Sequence, residues 1–193
     1  LQRVVNGFGP AVMAAFTATS RIEQLIHQPY GTLSTALSTY SGQNLGAKKM
    51  DRIKLGFKKS IIMMSLFSLL MLPIIQFGGE WIVKLFVDDP EVIYYGAVSM
   101  RITSWFYIFL GLIYMTRGVL NGVGDAMFAL INGIVEVIGR ITIPIMLTMI
   151  PFIGVWGIWW ATALTWMLSA VFCVWRYISW KKKKMVALVN AMA

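Results

Sequence analysis

The chain has 193 residues, of which 58% are hydrophobic and 13% charged, and its mean hydropathy is +0.71. A soluble domain carries about 25% charged residues, so the composition excludes an ordinary soluble protein and leaves a membrane protein as the class. The formal net charge of +9 would suit nucleic acid, but the cations cluster beside apolar blocks, a pattern that membrane topology explains with no nucleic-acid partner.

The opening residues 1–10 contain two glycines and a proline and lead into the first expected span, 11–41. Because Leu1 is not a start methionine and no signal peptide opens the chain, we expect a fragment of a longer protein. Arg21, Glu23 and His27 interrupt the hydropathy of this segment, and periodicity decides its character. Thr17, Arg21, Gln24, Gln28, Thr32, Thr35 and Thr39 follow steps of three and four and form one polar stripe on a helix. Ser20, Glu23, His27, Gly31, Ser34 and Ser38 form a second stripe beside it, with Ala15, Ala18, Ile22, Leu25, Ile26, Leu33, Ala36, Leu37 and Tyr40 opposite. At ~1.5 Å per residue such a helix is ~46 Å long, enough to cross a ~30 Å hydrocarbon core. Its polar half cannot face lipid, so a cavity-facing span is expected. A surface-lying amphipathic helix, the competing reading, would carry Lys and Arg where this one carries Ser, Thr and Gln. Pro29 with Gly31 predicts a kink near mid-membrane, and Asn44 and Gly46 predict the helix stop.

A basic loop follows, with six cations between residues 48 and 59. The second span is expected over 60–77, with Pro73 near its far end. The next loop is acidic, and Asp88-Asp89-Pro90-Glu91 reads as a helix start with aspartate as N-cap and proline at the first position. The third span is expected over 92–116 and contains Arg101; Arg117 and a run of glycines to Asp125 close it. The fourth, 126–150, places Asn132, Glu136, Arg140 and Pro144 four residues apart, and Glu136 before Arg140 is the favourable order for an intrahelical ion pair. The fifth, 154–178, is bracketed by Trp156, Trp159 and Trp160 at one end and Trp175, Tyr177 and Trp180 at the other, as interfacial aromatic belts would be. A basic tail, 181–193, ends the chain. The single cysteine, Cys173, reads as a small packing residue.

Cations near the span ends set the topology. The loop at 48–59, Arg117 and the five cations at 176–184 share one side, against Arg3 and Lys84 on the other, so the loop and the C-terminus are expected in the cytoplasm. The architecture expected is all-α: a polytopic transmembrane bundle occupying 1–180, five spans of a six-helix unit.

Asn6-Gly7-Phe8-Gly9 before Ala14-Ala15, the stretch Gly42-Gln43-Asn44-Leu45-Gly46-Ala47 with its basic tail, Arg117-Gly118 through Gly122 to Gly124-Asp125, and Gly154 through Gly157 occur in an order that resembles the C-terminal lobe of a multidrug and toxic compound extrusion (MATE) transporter. The resemblance covers residues 4 to 180. It implies a twelve-helix antiporter of two six-helix lobes, with this chain supplying about the eighth to twelfth helices and the N-terminal lobe of the same polypeptide as partner. It also implies export of amphipathic or cationic small molecules in exchange for protons or sodium, across the cytoplasmic (inner) membrane and without a cofactor or metal. Sodium-coupled members carry an acid inside the tenth helix, and 92–116 has no Asp or Glu, which favours protons.

Glu23 and His27, four apart on one face, could store or pass a proton, and an anionic Glu23 would attract an organic cation. Alternatively Arg21 or Arg101 neutralises Glu23 and the backbone satisfies His27. Gln24, Gln28, Tyr30 and Thr32 could line a substrate path, with Arg101 as a charge partner. Glu136 with Arg140 is expected to be structural. Three other functions stay open: a lipid-linked polysaccharide flippase of the same superfamily, a membrane-embedded enzyme using His27 and Glu23, and a purely structural subunit. The single histidine argues against a metal-dependent enzyme, and the polar stripe against the structural subunit.

Overall fold

The computed structural model describes residues 5–190. Arg3 and residues 191–193 lie outside them, as do the side chains of Lys182, Lys183 and Lys184. Six helices carry the fold: α1 (Pro10–Gly46), α2 (Met50–Lys84), α3 (Pro90–Ser104), α4 (Tyr107–Gly122), α5 (Ala126–Thr148) and α6 (Gly157–Asn190). Short 3-10 turns at Asn6–Phe8 and Gly154–Trp156 precede α1 and α6.

The two stripes of α1 separate as their periodicity requires. Thr17, Arg21, Gln24, Gln28, Thr32, Thr35 and Thr39 are all exposed, whereas Ser20, Glu23, His27, Gly31, Ser34 and Ser38 are half-buried against the neighbouring helices. Leu25, expected on the apolar side, is also exposed. α1 runs through Pro29 and Gly31 without interruption, so the expected kink is not a break in the helix. The helix stops at Gly46, within the expected Asn44–Gly46 stretch, but the left-handed residue is Lys48 (φ 57°). Lys49 N–H donates to the Asn44 carbonyl (2.8 Å) and Lys48 N–H to that of Leu45 (2.9 Å), the paired bonds of a Schellman cap. A lysine there carries the Cβ penalty that glycine escapes. Lys48→Gly is therefore expected to stabilise the fold by about 1 kcal/mol, read as a raised thermal midpoint.

Helices outrun the spans read from hydropathy, because hydropathy marks only the lipid-buried part. α2 extends ten residues before residue 60 and seven beyond 77, and α6 continues into the expected basic tail as far as Asn190. Asp89 caps α3 as expected, accepting from Glu91 N–H at 2.8 Å. The largest correction concerns 92–116, which is not one straight span: α3 and α4 meet at 57° across Trp105–Phe106. Among the described residues, three helices are long and apolar enough to cross a membrane, or four if this bent pair is one span; α1 is long enough but too polar to qualify.

Exposed apolar residues, including Ile62, Met63, Leu66, Leu69 and Leu70 on α2 and Leu130, Ile134, Val137, Ile138 and Ile141 on α5, give the bundle a lipid-facing exterior. The core gathers Tyr30, Tyr107, Ile113, Met115, Leu120 and Trp166. The aromatic belts are thinner than expected, since Trp159, Tyr177 and Trp180 are buried while Trp160 and Trp175 remain exposed. α1 and α4 cross in backbone contact. A Cβ on Gly118 would stand 2.6 Å from the Ser34 carbonyl oxygen, and one on Gly122 would strike that of Ser38. Gly118 and Gly122 thus form a small-residue seam against Ser34 and Ser38, and Ser34 Oγ donates across it to the Tyr114 carbonyl at 2.8 Å.

Candidate functional site: the Glu23 carboxylate at a helix break

The bend between α3 and α4 contains neither glycine nor proline: its residues are Ser104, Trp105, Phe106 and Tyr107. Hydrogen bonds from other helices occupy the groups that it frees. Gln76 of α2 donates from Nε2 to the Arg101 carbonyl and to Ser104 Oγ, both at 2.9 Å. Arg101 returns a bond from Nε to the Gln76 carbonyl (3.2 Å) and pairs through Nη2 with Glu80 (3.2 Å). Arg101 is thus a clamp between α2 and α3, and it does not neutralise Glu23. Gln76→Leu should remove the amide that bonds both the Arg101 carbonyl and Ser104 Oγ, leaving that carbonyl only the Ser104 hydroxyl (2.9 Å), and cost about 2 kcal/mol, measured by thermal unfolding of the purified protein.

One residue before the bend, fully buried Thr103 donates from Oγ1 to Glu23 Oε1 at 2.9 Å. None of the ion pairs among the described residues involves Glu23. A half-buried carboxylate thus rests on a neutral hydroxyl at the point where a membrane helix is interrupted. Thr103 Oγ1 has a second acceptor, the Met100 carbonyl at 3.4 Å. An ionised Glu23 accepts the hydroxyl proton; a protonated Glu23 can donate to the same oxygen while the hydroxyl turns to Met100. Both protonation states of the carboxyl keep a hydrogen bond.

His27, one turn further along α1, stands edge-on to Trp166 (ring centroids 5.6 Å) and Tyr107 (6.5 Å), with Tyr114 at 6.5 Å. Its Nε2 is buried without a partner, and the Tyr107 hydroxyl and Trp166 Nε1 are likewise unpartnered.

The MatE family signature matches residues 1–146. The chain belongs to the MatE family. Among its curated relatives, the Bacillus subtilis (strain 168) proteins named probable multidrug resistance protein YpnP and YoeA are 24% and 22% identical; each match covers 96% of this chain, but 42% and 41% of the relative. The chain therefore spans about two fifths of the length of these relatives. A solved outward-facing multidrug resistance MATE family transporter superposes with a TM-score of 0.84 at 18% identity, over 98% of this chain and 41% of that one. An inward-facing one gives 0.82 at 18%, over 94% and 41%. At these identities the likeness shows the fold, which is that of one MATE lobe.

The other predicted residues of this MatE lobe divide between two faces of α1. Gln24, Gln28 and Thr32 lie on the exposed face with Arg21, which also lines a cavity of about 370 Å³ with Thr17, Met13, Phe86 and Val87. Tyr30, read as a path-lining residue, is fully buried instead, and its hydroxyl is 2.8 Å from Ser68 Oγ in α2. Arg140 lies 2.9 Å from Glu136, and Arg117 lies 2.8 Å from the same carboxylate. With its amide turned to accept, Asn132 Oδ1 is 2.6 and 3.0 Å from Arg117 Nη2 and Nε. One carboxylate thus holds two guanidiniums, and Glu136→Leu should cost about 3 kcal/mol by leaving them facing each other, seen as a lowered thermal midpoint. Sequence spacing missed Thr103, Gln76 and Arg117 as partners, since each contact joins different helices; the signals present were a hydroxyl and an amide inside apolar spans and the charge of Arg117 at the end of one.

Proposed function

We propose that this chain is the C-terminal lobe of a secondary active antiporter that exports amphipathic or cationic small molecules in exchange for protons, with Glu23 as the coupling carboxylate. The observation that carries the proposal is the unpaired Glu23 carboxylate, hydrogen-bonded to Thr103 beside the α3–α4 break on the most polar helix of the bundle. Interrupted helices in transporters supply the backbone polarity that substrate and ion sites need. The exposed stripe of Gln24, Gln28 and Thr32, with Arg21 as its one charge, supports the reading further, because a hydrogen-bonding wall inside the bilayer suits a water-filled path facing the N-terminal lobe. The cations of the 48–59 loop orient that end toward the cytoplasm of the cell membrane.

In this reading a proton and a cationic substrate compete for Glu23. Rocking of the two lobes then exposes the site to either side in turn, and the Thr103–Glu23 hydrogen bond ties α3 to α1 so that the two residues move as one unit. Reconstituting the complete two-lobed transporter in liposomes tests this. A fluorescent organic cation should be driven out by an imposed proton gradient and much less by a sodium gradient. Efflux under neither gradient would overturn the antiporter reading, and efflux under sodium alone would overturn the proton coupling.

A further inference from the structure

A second cavity, of about 410 Å³, lies between the loop-proximal ends of α1 and α2. Its walls are apolar where α1 contributes Leu33, Ala36 and Leu37, and its rim carries Tyr40 and Lys59. Gly56 shapes it, since a Cβ there would stand 2.5 Å from the Tyr40 ring, so the phenol can lie across the α2 backbone only because that position is bare. The groove continues into the exposed α2 stripe of Leu55, Ile62, Met63 and Leu66, which is a surface for lipid. At its open end stands the basic stretch 48–59, a short loop followed by the first turns of α2. Lys54 is paired with Asp51, but none of Lys48, Lys49, Arg52, Lys58 and Lys59 belongs to an ion pair among the described residues.

An apolar slot that opens onto the lipid-facing side of a helix, with an unpaired ammonium and a phenol at the headgroup end, matches one kind of occupant. We infer that the groove binds an anionic phospholipid, an acyl chain between α1 and α2 and its phosphate against Lys59, with the neighbouring loop cations completing the charge. The inference rests on the proposed orientation only for the leaflet from which the lipid comes. Function follows from position: α1 carries Glu23, so a lipid wedged between α1 and α2 at the loop end biases their separation there.

The test uses the complete transporter in phosphatidylcholine nanodiscs doped with phosphatidylglycerol, with retained lipid counted by native mass spectrometry. Wild type should retain phosphatidylglycerol over phosphatidylcholine by about fivefold, in proportion to the attraction of one cation near an anionic surface. Lys59→Gln, which removes the charge, and Ala36→Phe, which fills the slot, should each abolish the preference while thermal unfolding confirms that the protein is folded. Equal retention of the two lipids by wild type, or an undiminished preference in either folded variant, would overturn the inference. So would efficient disulfide cross-linking of an Ala36→Cys variant to a cysteine in the N-terminal lobe, which would make the occupant protein. Lipid retention is read without transport, so failure of the antiporter reading would leave this result standing.

Discussion

Replacing Glu23 by glutamine should abolish gradient-driven accumulation while leaving the transporter folded. Glutamine keeps an oxygen for the Thr103 hydroxyl, which now donates to the Glu23 carboxylate at 2.9 Å, and it fills nearly the same volume. What it cannot do is exchange a proton. Each proton exchanged down a gradient of one pH unit is worth about 1.4 kcal/mol, a factor of about ten in the substrate ratio across the membrane. Wild type should therefore hold a ratio of about ten per pH unit for a one-proton exchange, measured with a fluorescent organic cation in liposomes, and Glu23→Gln a ratio near one. Unchanged accumulation in the variant would make Glu23 structural. Thr103→Val gives the complementary result, because it removes the hydrogen bond that the Thr103 hydroxyl gives the carboxyl while leaving the proton carrier. Transport should slow but remain coupled.

The second large effect lies away from the carboxylate. Gly122→Ala places a methyl group 2.9 Å from Ser41 Cβ and against the backbone of Ser38, and Gly118→Ala meets the Ser34 carbonyl oxygen at 2.6 Å. These obstacles are mostly backbone, so they yield only if α1 moves off α4. Each substitution should cost about 2 kcal/mol through overpacking, and the pair together should prevent purification of folded protein. Gly78→Ala is the control, since a Cβ there meets nothing within 4 Å. Its thermal midpoint should equal or exceed that of wild type, whereas Gly122→Ala should melt several degrees lower.

How far the sequence reveals the fold depends on how local the cause is. The polar stripe of α1 was legible residue by residue, because a 3.6-residue period places Thr17 through Thr39 on one face whatever the neighbours are. The Asp89 cap was legible for the same reason, its chemistry being complete within four residues. The α3–α4 break was not, since Ser104 to Tyr107 contain no helix breaker and the bend is held by Gln76, more than twenty residues away. Arg101 was placed in a span without its partner, because Glu80 lies on another helix. Asn44 and Gly46 marked the end of α1, which does stop at Gly46, but the left-handed residue is Lys48 and neither of these two. Within the candidate site, Glu23 and His27 were visible, with Arg21, as the ionisable groups of an otherwise uncharged segment. Thr103 was not visible, because a threonine in a membrane helix ordinarily bonds its own backbone.

The account stands on Glu23 carrying the exchanged proton, and proton release on substrate binding measures that most directly. The complete transporter, purified in detergent and weakly buffered with a pH-indicating dye, is mixed with an organic cation. Wild type should release about one proton per substrate bound, and Glu23→Gln none while still binding. Equal release by wild type and Glu23→Gln would contradict the account and move the coupling site elsewhere in the transporter.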